Sequence, residues 1–353
     1  MKTAKRIISV FLILSLLAAA GCANPSWVYS AYGIQVSPGA YISFILEAIG
    51  ELEDADREAY GENVYNQYEP PPLAQFLKLT GSGGLTYSQM AVSRAAALSR
   101  EFIAVELLFA EKGLSFSDTD ERNISNSAAS NYISGREFFD RNGVGEASVK
   151  AVHANKLKKD RLFAHMYSEG GERGISEAEL ISAFEERYAR VEIMFMRVAD
   201  WDGDEDAQEM AFAQEYLERY KNGEPLADIL YDYETRMAGD DGEEVVKTAP
   251  EQLIMLADMK AGTDDSELIK AVRAAAVGEP GSLEAEGGNF YIFQKLPLMD
   301  DESLFPSIRP QLLFDLAGDE FEEYVTGYAN TLNIEANAQA ISRYTPERIW
   351  TNR

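Results

Sequence analysis

The chain has 353 residues, 46% of them apolar, which suits two or three domains with sizeable buried cores and is too apolar for a disordered chain. Its 59 acidic against 32 basic residues give a formal net charge of −27, so it lacks the basic surface with which a protein neutralises nucleic-acid phosphates. One cysteine (Cys22) and two histidines (His153 and His165) exclude a disulfide framework, a multi-cysteine zinc site and a Cys–His catalytic pair spread through the fold. No residue pattern points to a cofactor.

At the N-terminus, Lys2, Lys5 and Arg6 precede an apolar run over residues 7–17 and then Ala18-Ala19-Ala20-Gly21-Cys22, the pattern of a secretory signal. The run is shorter than the ~20 residues that span a bilayer as a permanent helix. Ala-Ala-Gly-Cys resembles a bacterial lipobox, whose cysteine is acylated with diacylglycerol and becomes the new N-terminus. Ala19 stands where that motif prefers Leu, and Ala18-x-Ala20 also fits an ordinary signal peptidase. The lipobox implies a signal peptide over 1–21, lipidation at Cys22, a lipid-anchored tether over 22–33 and an extracytoplasmic location at the bacterial cell membrane. Removing residues 1–21 takes away three cations and leaves a charge of about −30. Acyl chains would then have to supply the membrane affinity, because anionic lipids repel such a charge.

Next, Ile34-Gln35-Val36 alternates like a strand, and Ser37-Pro38 opens a helix with Ser as cap and Pro in the first turn; Tyr41, Phe44, Ile45 and Ile49 form its apolar stripe. Residues 60–84, with Pro70-Pro71-Pro72 and Gly81-Ser82-Gly83-Gly84, read as an insertion loop holding one short helix. Helices are predicted over 86–112, ended by Gly113, then from Ser117, and over 146–168. Ser176-Glu177-Ala178-Glu179 is a capping box whose helix buries Leu180, Ile181, Phe184 and Tyr188. The pattern then changes. Residues 191–198 read as a strand buried largely on both faces, followed by an acidic turn over 200–206, helices over 204–221, 225–236, 250–259 and 265–276, and a hairpin across Gly287-Gly288. Residues 190–297 therefore form an α+β module inserted between helical portions, with helix again over 303–341.

This layout resembles the PrsA-type foldase lipoproteins and the SurA-like periplasmic chaperones. Gly33-Ile34-Gln35-Val36-Ser37 looks like the family's opening, and the 191–198 strand looks like the first strand of a parvulin (PpiC-type) peptidyl-prolyl isomerase domain. Gly239-Asp240-x-Gly242, and Val277-Gly278-Glu279 before the 290–296 strand, follow in that domain's order. The resemblance implies an α+β fold: a mostly α-helical chaperone body over 34–188, a parvulin-like domain over 189–298, and C-terminal helices over 299–353 that return to the body. It also implies binding of unfolded or newly exported polypeptides. Active parvulins carry a histidine in the first strand and another in the last. Here the matching positions are Ile193 and Tyr291, and no histidine occurs after His165. The position of the pocket aromatic falls on Arg273. The resemblance thus implies a parvulin-like arm without catalysis. Two other readings stand beside it: an active isomerase with an unusual site around Tyr291, Met194, Met196 and Ile269, and a lipoprotein dedicated to one exported partner.

Asp200-x-Asp202-x-Asp204 imitates the start of a calcium loop, but Glu205 replaces the needed Gly and Ala211 the bidentate Glu, so a solvated turn is the reading. His153 shares the apolar side of its helix with Val149 and reads as a satisfied, partly buried histidine. Lys150, Lys156, Lys158, Lys159 and Arg161 read as a solvated face pairing with the protein's own carboxylates, and otherwise as a docking surface for acidic clients or wall polymers. Phe44, Phe102, Phe109, Tyr132, Phe138, Phe139 and Phe163 are candidates for a client cradle, with core packing as the default. Phosphate-loop, nucleophile-elbow and zincin motifs are absent from the sequence.

Overall fold

The computed structural model describes residues 25–59, 71–199, 207–238, 245–256, 264–285 and 288–350. The fold is α+β and mostly helical. In chain order the elements are β1 (Tyr29–Ala31), β2 (Ile34–Val36), α1 (Pro38–Ala59), α2 (Leu73–Phe76), α3 (Tyr87–Glu111), α4 (Asp118–Ser134), α5 (Arg136–Arg141), α6 (Glu146–Tyr167) and α7 (Glu177–Arg187). Then follow β3 (Tyr188–Arg197), α8 (Ala207–Lys221), α9 (Leu226–Ala238), β4 (Glu251–Met255), α10 (Asp264–Ala274), β5 (Pro280–Ala285), β6 (Asn289–Leu296), α11 (Leu304–Thr331), β7 (Glu335–Ala336) and α12 (Ala338–Arg343). They form two compact units, one of residues 1–167 and 317–353, the other of residues 168–316.

Local chemistry sets the helix ends. Ser37 accepts from the Ala40 amide at 3.2 Å, and Thr86, Ser117 and Ser176 each close a reciprocal capping box. In the second of these boxes, the Asp120 carboxyl is held down to about 2 by hydrogen bonds from Arg161 and Ser117. Gly113 ends α3 at φ 66°, a left-handed conformation that lets the Leu114 amide reach back to the Phe109 carbonyl.

In the first unit, Tyr41, Phe44, Ile45 and Ile49 of α1 pack on Ala95, Phe102 and Ile103 of α3 and on Val149 of α6. The end of the chain closes on its beginning. β7 pairs antiparallel with β1, the Asn337 amide donates to the Val28 carbonyl at 2.8 Å, and Asn142 exchanges two bonds with the Trp350 backbone. Residues 303–341, read from the sequence as helical throughout, break at Thr331 to make this strand: Glu335 and Ala336 supply the outer partner that β1 needs on the edge β2 leaves open.

The second unit is a four-stranded antiparallel sheet in the order β4-β3-β6-β5, with α8 and α9 packed on one face and α10 on the other. Two expectations are corrected here. Tyr188 does not close α7 but opens β3, where it is buried against Phe184. Residues 250–259 were expected to be helical, from good helix formers such as Glu251, Leu253 and Met255, yet 251–255 form β4. The exposed edge of β3 offers five residues of backbone pairing, from Tyr188↔Met255 to Glu192↔Glu251, and Arg190 clamps Glu251 at 2.6 Å; tertiary pairing overrides local propensity.

Gly288 turns the chain into β6 at φ 75°, where a Cβ would lie 2.1 Å from that of Ala199. A Cβ on Gly113 would meet open space. Gly288→Ala is therefore expected to destabilise the sheet unit by more than about 2 kcal/mol, and Gly113→Ala to cost the helical unit only about 1 kcal/mol. Urea unfolding followed by circular dichroism measures both, and equal costs would contradict the steric argument.

Candidate functional site

Successive side chains of a strand point to opposite faces, so β3 feeds two half-cores. Met194, Met196 and Val198 join Phe290 and Ile292 of β6 against Tyr216, Leu217 and Tyr220 of α8 and Ile229 of α9. Ala189, Val191 and Ile193 join Phe293 of β6 against Leu268, Ile269 and Val272 of α10. On this second face the register lays side chains in rows across three strands. One row is Ile193, Phe293 and Gly281, and the next is Phe195, Tyr291 and Leu283. The first row is covered by α10, with Ile193 9% and Phe293 3% exposed. The second row is open at one end: Phe195 is 48% exposed with its ring 5.4 Å from that of Tyr291, while Tyr291 and Leu283 are half-buried against the α10 core.

The structure thus brings together three of the residues singled out in the sequence, Ile193, Tyr291 and Ile269. Arg273 is not among them: it is exposed on α10 and donates to the Leu256 carbonyl. The site combining Tyr291 and Ile269 with Met194 and Met196 is corrected, because the two methionines lie across the sheet from the tyrosine and are fully buried there. Phe195 and Leu283 were missed. The alternation from Ile193 to Phe195 was the available signal, masked because an unbroken apolar run hides which of its residues a helix fails to cover. Cys22, the acidic turn over 200–206 and Gly239-Asp240-x-Gly242 lie outside the described residues.

The cradle candidates go largely to the core. Phe44, Phe102 and Phe109 are buried, Tyr132 stacks on Phe139, which meets Phe138 edge-on, and Phe163 packs on Tyr167 and Phe321. The basic face of α6 meets carboxylates: Lys156 meets Glu47, Lys158 Glu106, Lys159 Glu322 and Arg161 Asp120, at 2.5–3.0 Å. Between Lys159 and Arg94, burial pushes the Glu101 carboxyl up in spite of both cations. Among the described residues no group of three His, Cys, Asp or Glu is placed to hold a metal ion, and no helix is long and apolar enough to cross a membrane.

No protein-family model matches the chain, and no curated protein matches it. The chain is similar to PrsA foldases of known structure. The crystal structure of foldase protein PrsA from Streptococcus pneumoniae str. Canada MDR_19A is 15% identical over 75% of this chain and 97% of that one, with a TM-score of 0.36. The foldase protein PrsA of Lactococcus lactis is 11% identical over 91% of this chain and 100% of that one, with a TM-score of 0.37. PrsA from Bacillus subtilis is 15% identical over 75% and 89%, with a TM-score of 0.25. At these scores the chain's own residues have to carry the functional reading.

His153 lies in the helical unit, where its Nε2 accepts from the Asn131 amide nitrogen at 3.1 Å beside a cavity of about 210 Å³ walled by Leu46, Phe139 and Val152. Burial, then Lys156, pushes its pKa below the ordinary value. The imidazole is therefore neutral in the folded chain under conditions where the unfolded chain is protonated. Its contribution is complete above the unfolded pKa of about 6.5 and is lost as pH falls from there through the folded value. His153→Gln, which preserves an acceptor for Asn131, is expected to flatten the decline in melting temperature below pH 6.5. An unchanged profile would remove His153 from the titration.

Proposed function

We propose that the protein is an extracytoplasmic foldase or chaperone, anchored to the cell membrane through a lipid on Cys22, that binds unfolded exported polypeptides. The helical segments act as its body, and the module around 189–298 as a parvulin-like arm without catalysis. The observation that carries this reading is the exposed Phe195 beside the half-buried Tyr291 and Leu283 on a sheet face devoid of histidine. An apolar ledge of this kind accepts aromatic and aliphatic side chains without demanding a sequence, and adaptable surfaces of that type favour promiscuous, weak binding. The lipobox-like Cys22 and the secretory pattern before it support the location.

The inert arm has a chemical basis. Rotation about an X-Pro bond faces a barrier of about 20 kcal/mol, and lowering it needs groups preorganised around the twisted amide. The residues standing where the family has its histidines are an aliphatic chain sealed under α10 and a phenol beside Phe195.

In a protease-coupled proline-peptide assay the protein is expected to leave the isomerisation rate at its uncatalysed value, while slowing aggregation of several unrelated unfolded proteins. Phe195→Ser and Leu283→Ser should weaken the aggregation effect severalfold without changing secondary structure. Failure to protect any client would sink the chaperone reading, and isomerase activity abolished by Tyr291→Phe would sink the inert-arm reading. Cys22→Ser should release the protein from the membrane fraction; continued membrane association with unchanged lipid labelling would refute the anchor.

A further inference from the structure

The sheet of the second unit ends in β5, and the pairing register fixes which of that strand's backbone groups are used. The Val198 amide donates to the Gly288 carbonyl at 2.7 Å, so Phe290 and Ile292 turn their hydrogen bonds to β3, while Tyr291 and Phe293 turn theirs to β5. Opposite them, Leu283 and Gly281 bond inward. Ser282 and Glu284 therefore each aim an amide and a carbonyl out of the sheet, and the Pro280 carbonyl lies in the same line. Among the described residues nothing pairs with these groups. The side chains of Ser282 and Glu284 are exposed, so water reaches this edge.

We propose that the edge of β5 receives an extended polypeptide segment as an added strand, with a basic residue beside Glu284 and an apolar one beside Leu283. Donors and acceptors repeating at strand spacing are matched by another extended backbone. Side chains select the class. Leu283 lies on the α10 face, in the row of Tyr291 and Phe195, so an added residue opposite it lengthens an apolar row. Glu284 lies on the other face, where it has no ion-pair partner among the described residues, and Glu279 just before the strand is exposed as well. These carboxylates and the net charge of −27 favour a cationic segment. A second copy of this edge would instead crowd the carboxylates of both chains. Pro280 has no amide to donate, which confines pairing to the later part of the strand. The inference rests on the reading that the protein binds unfolded polypeptides, and adds how the arm holds them.

The test is fluorescence anisotropy of a short labelled peptide alternating lysine and valine, titrated with the whole chain. Binding should be saturable and weakened by salt, and a peptide alternating glutamate and valine should bind about tenfold less tightly. Because the added strand bonds to β5 along one edge only, N-methylating one alternate set of the peptide's amides should abolish binding and methylating the other should spare it. Ser282→Pro removes an outward amide, leaves the ladder to β6 intact, and should weaken binding about tenfold at an unchanged melting temperature. Glu284→Lys should reverse the preference between the two peptides. Absence of saturable binding, an equal response to the two methylated sets, or affinity indifferent to Ser282→Pro overturns the added strand. An unaltered preference in Glu284→Lys overturns the basic class, and a dimer that Ser282→Pro dissociates overturns the client in favour of a second copy. If the peptide fails to bind while the chain still slows client aggregation, the edge alone is refuted; if the peptide binds and no client is protected, the chaperone reading fails and the edge stands.

Discussion

The sheet unit depends on one constraint, the strict two-residue alternation of β3. This strand is paired along both edges, to β4 and to β6, and is packed on both faces, so a slip of one residue would exchange the contents of its two half-cores. Fully burying a side chain such as Val191 or Met194 stabilises the fold by roughly 1.5–3 kcal/mol, so the register is held by several such contributions at once. The surface proposed for binding follows from it. α10 seals Ile193, and in the next row Tyr291 and Leu283 still pack half-buried against its core while Phe195 stands 48% exposed.

The helical unit answers to a different constraint, the disposal of charge. A chain this acidic repels itself, and the cations of α6 are spread over carboxylates contributed by α1, α3, α4 and α11. Surface ion pairs of this sort are worth about 0–1 kcal/mol each, so they act more through the choice of neighbouring helix than through stability. Lys158 shows how far the placement is shared with packing. It binds Glu106 at 2.5 Å while lying 5.5 Å above the Phe109 ring and 5.8 Å from the Phe116 ring, which fixes a charged end and an apolar stem together.

Much of the architecture was legible because it is local. The caps at Ser37, Ser117 and Ser176 and the stop at Gly113 are each written in a few adjacent residues, and the structure forms them there. The helix periodicity of residues 86–112 and 146–168 likewise gives α3 and α6. What failed was non-local. Apart from Ile254, β4 and β7 consist of residues with no strong strand preference, and each pairs with an open edge that another strand, β3 or β1, presents. The candidate site was half legible for the same reason. The alternation of β3 alone sets Ile193 apart from Met194 and Met196, but placing Tyr291 on the face of Ile193 required the pairing register with β6, and the exposure of Phe195 required the position of the packed helix.

The proposed reading, in which the row of Phe195 holds a polypeptide without turning it, has an energetic side. A Phe or Tyr side chain buries about 150–250 Å² when fully covered, worth several kcal/mol at about 25 cal/mol per Å². Phe195 and Tyr291 are already partly covered by one another, so only a fraction of that remains for a visitor. An unfolded segment must also surrender conformational entropy to lie along the row, which removes much of the gain. On that reading the balance would be a weak, short-lived complex that many apolar segments form about equally well. On the proposed reading such a surface would lower the free concentration of sticky chains without trapping them, and it presents a twisted amide with one phenol and no imidazole.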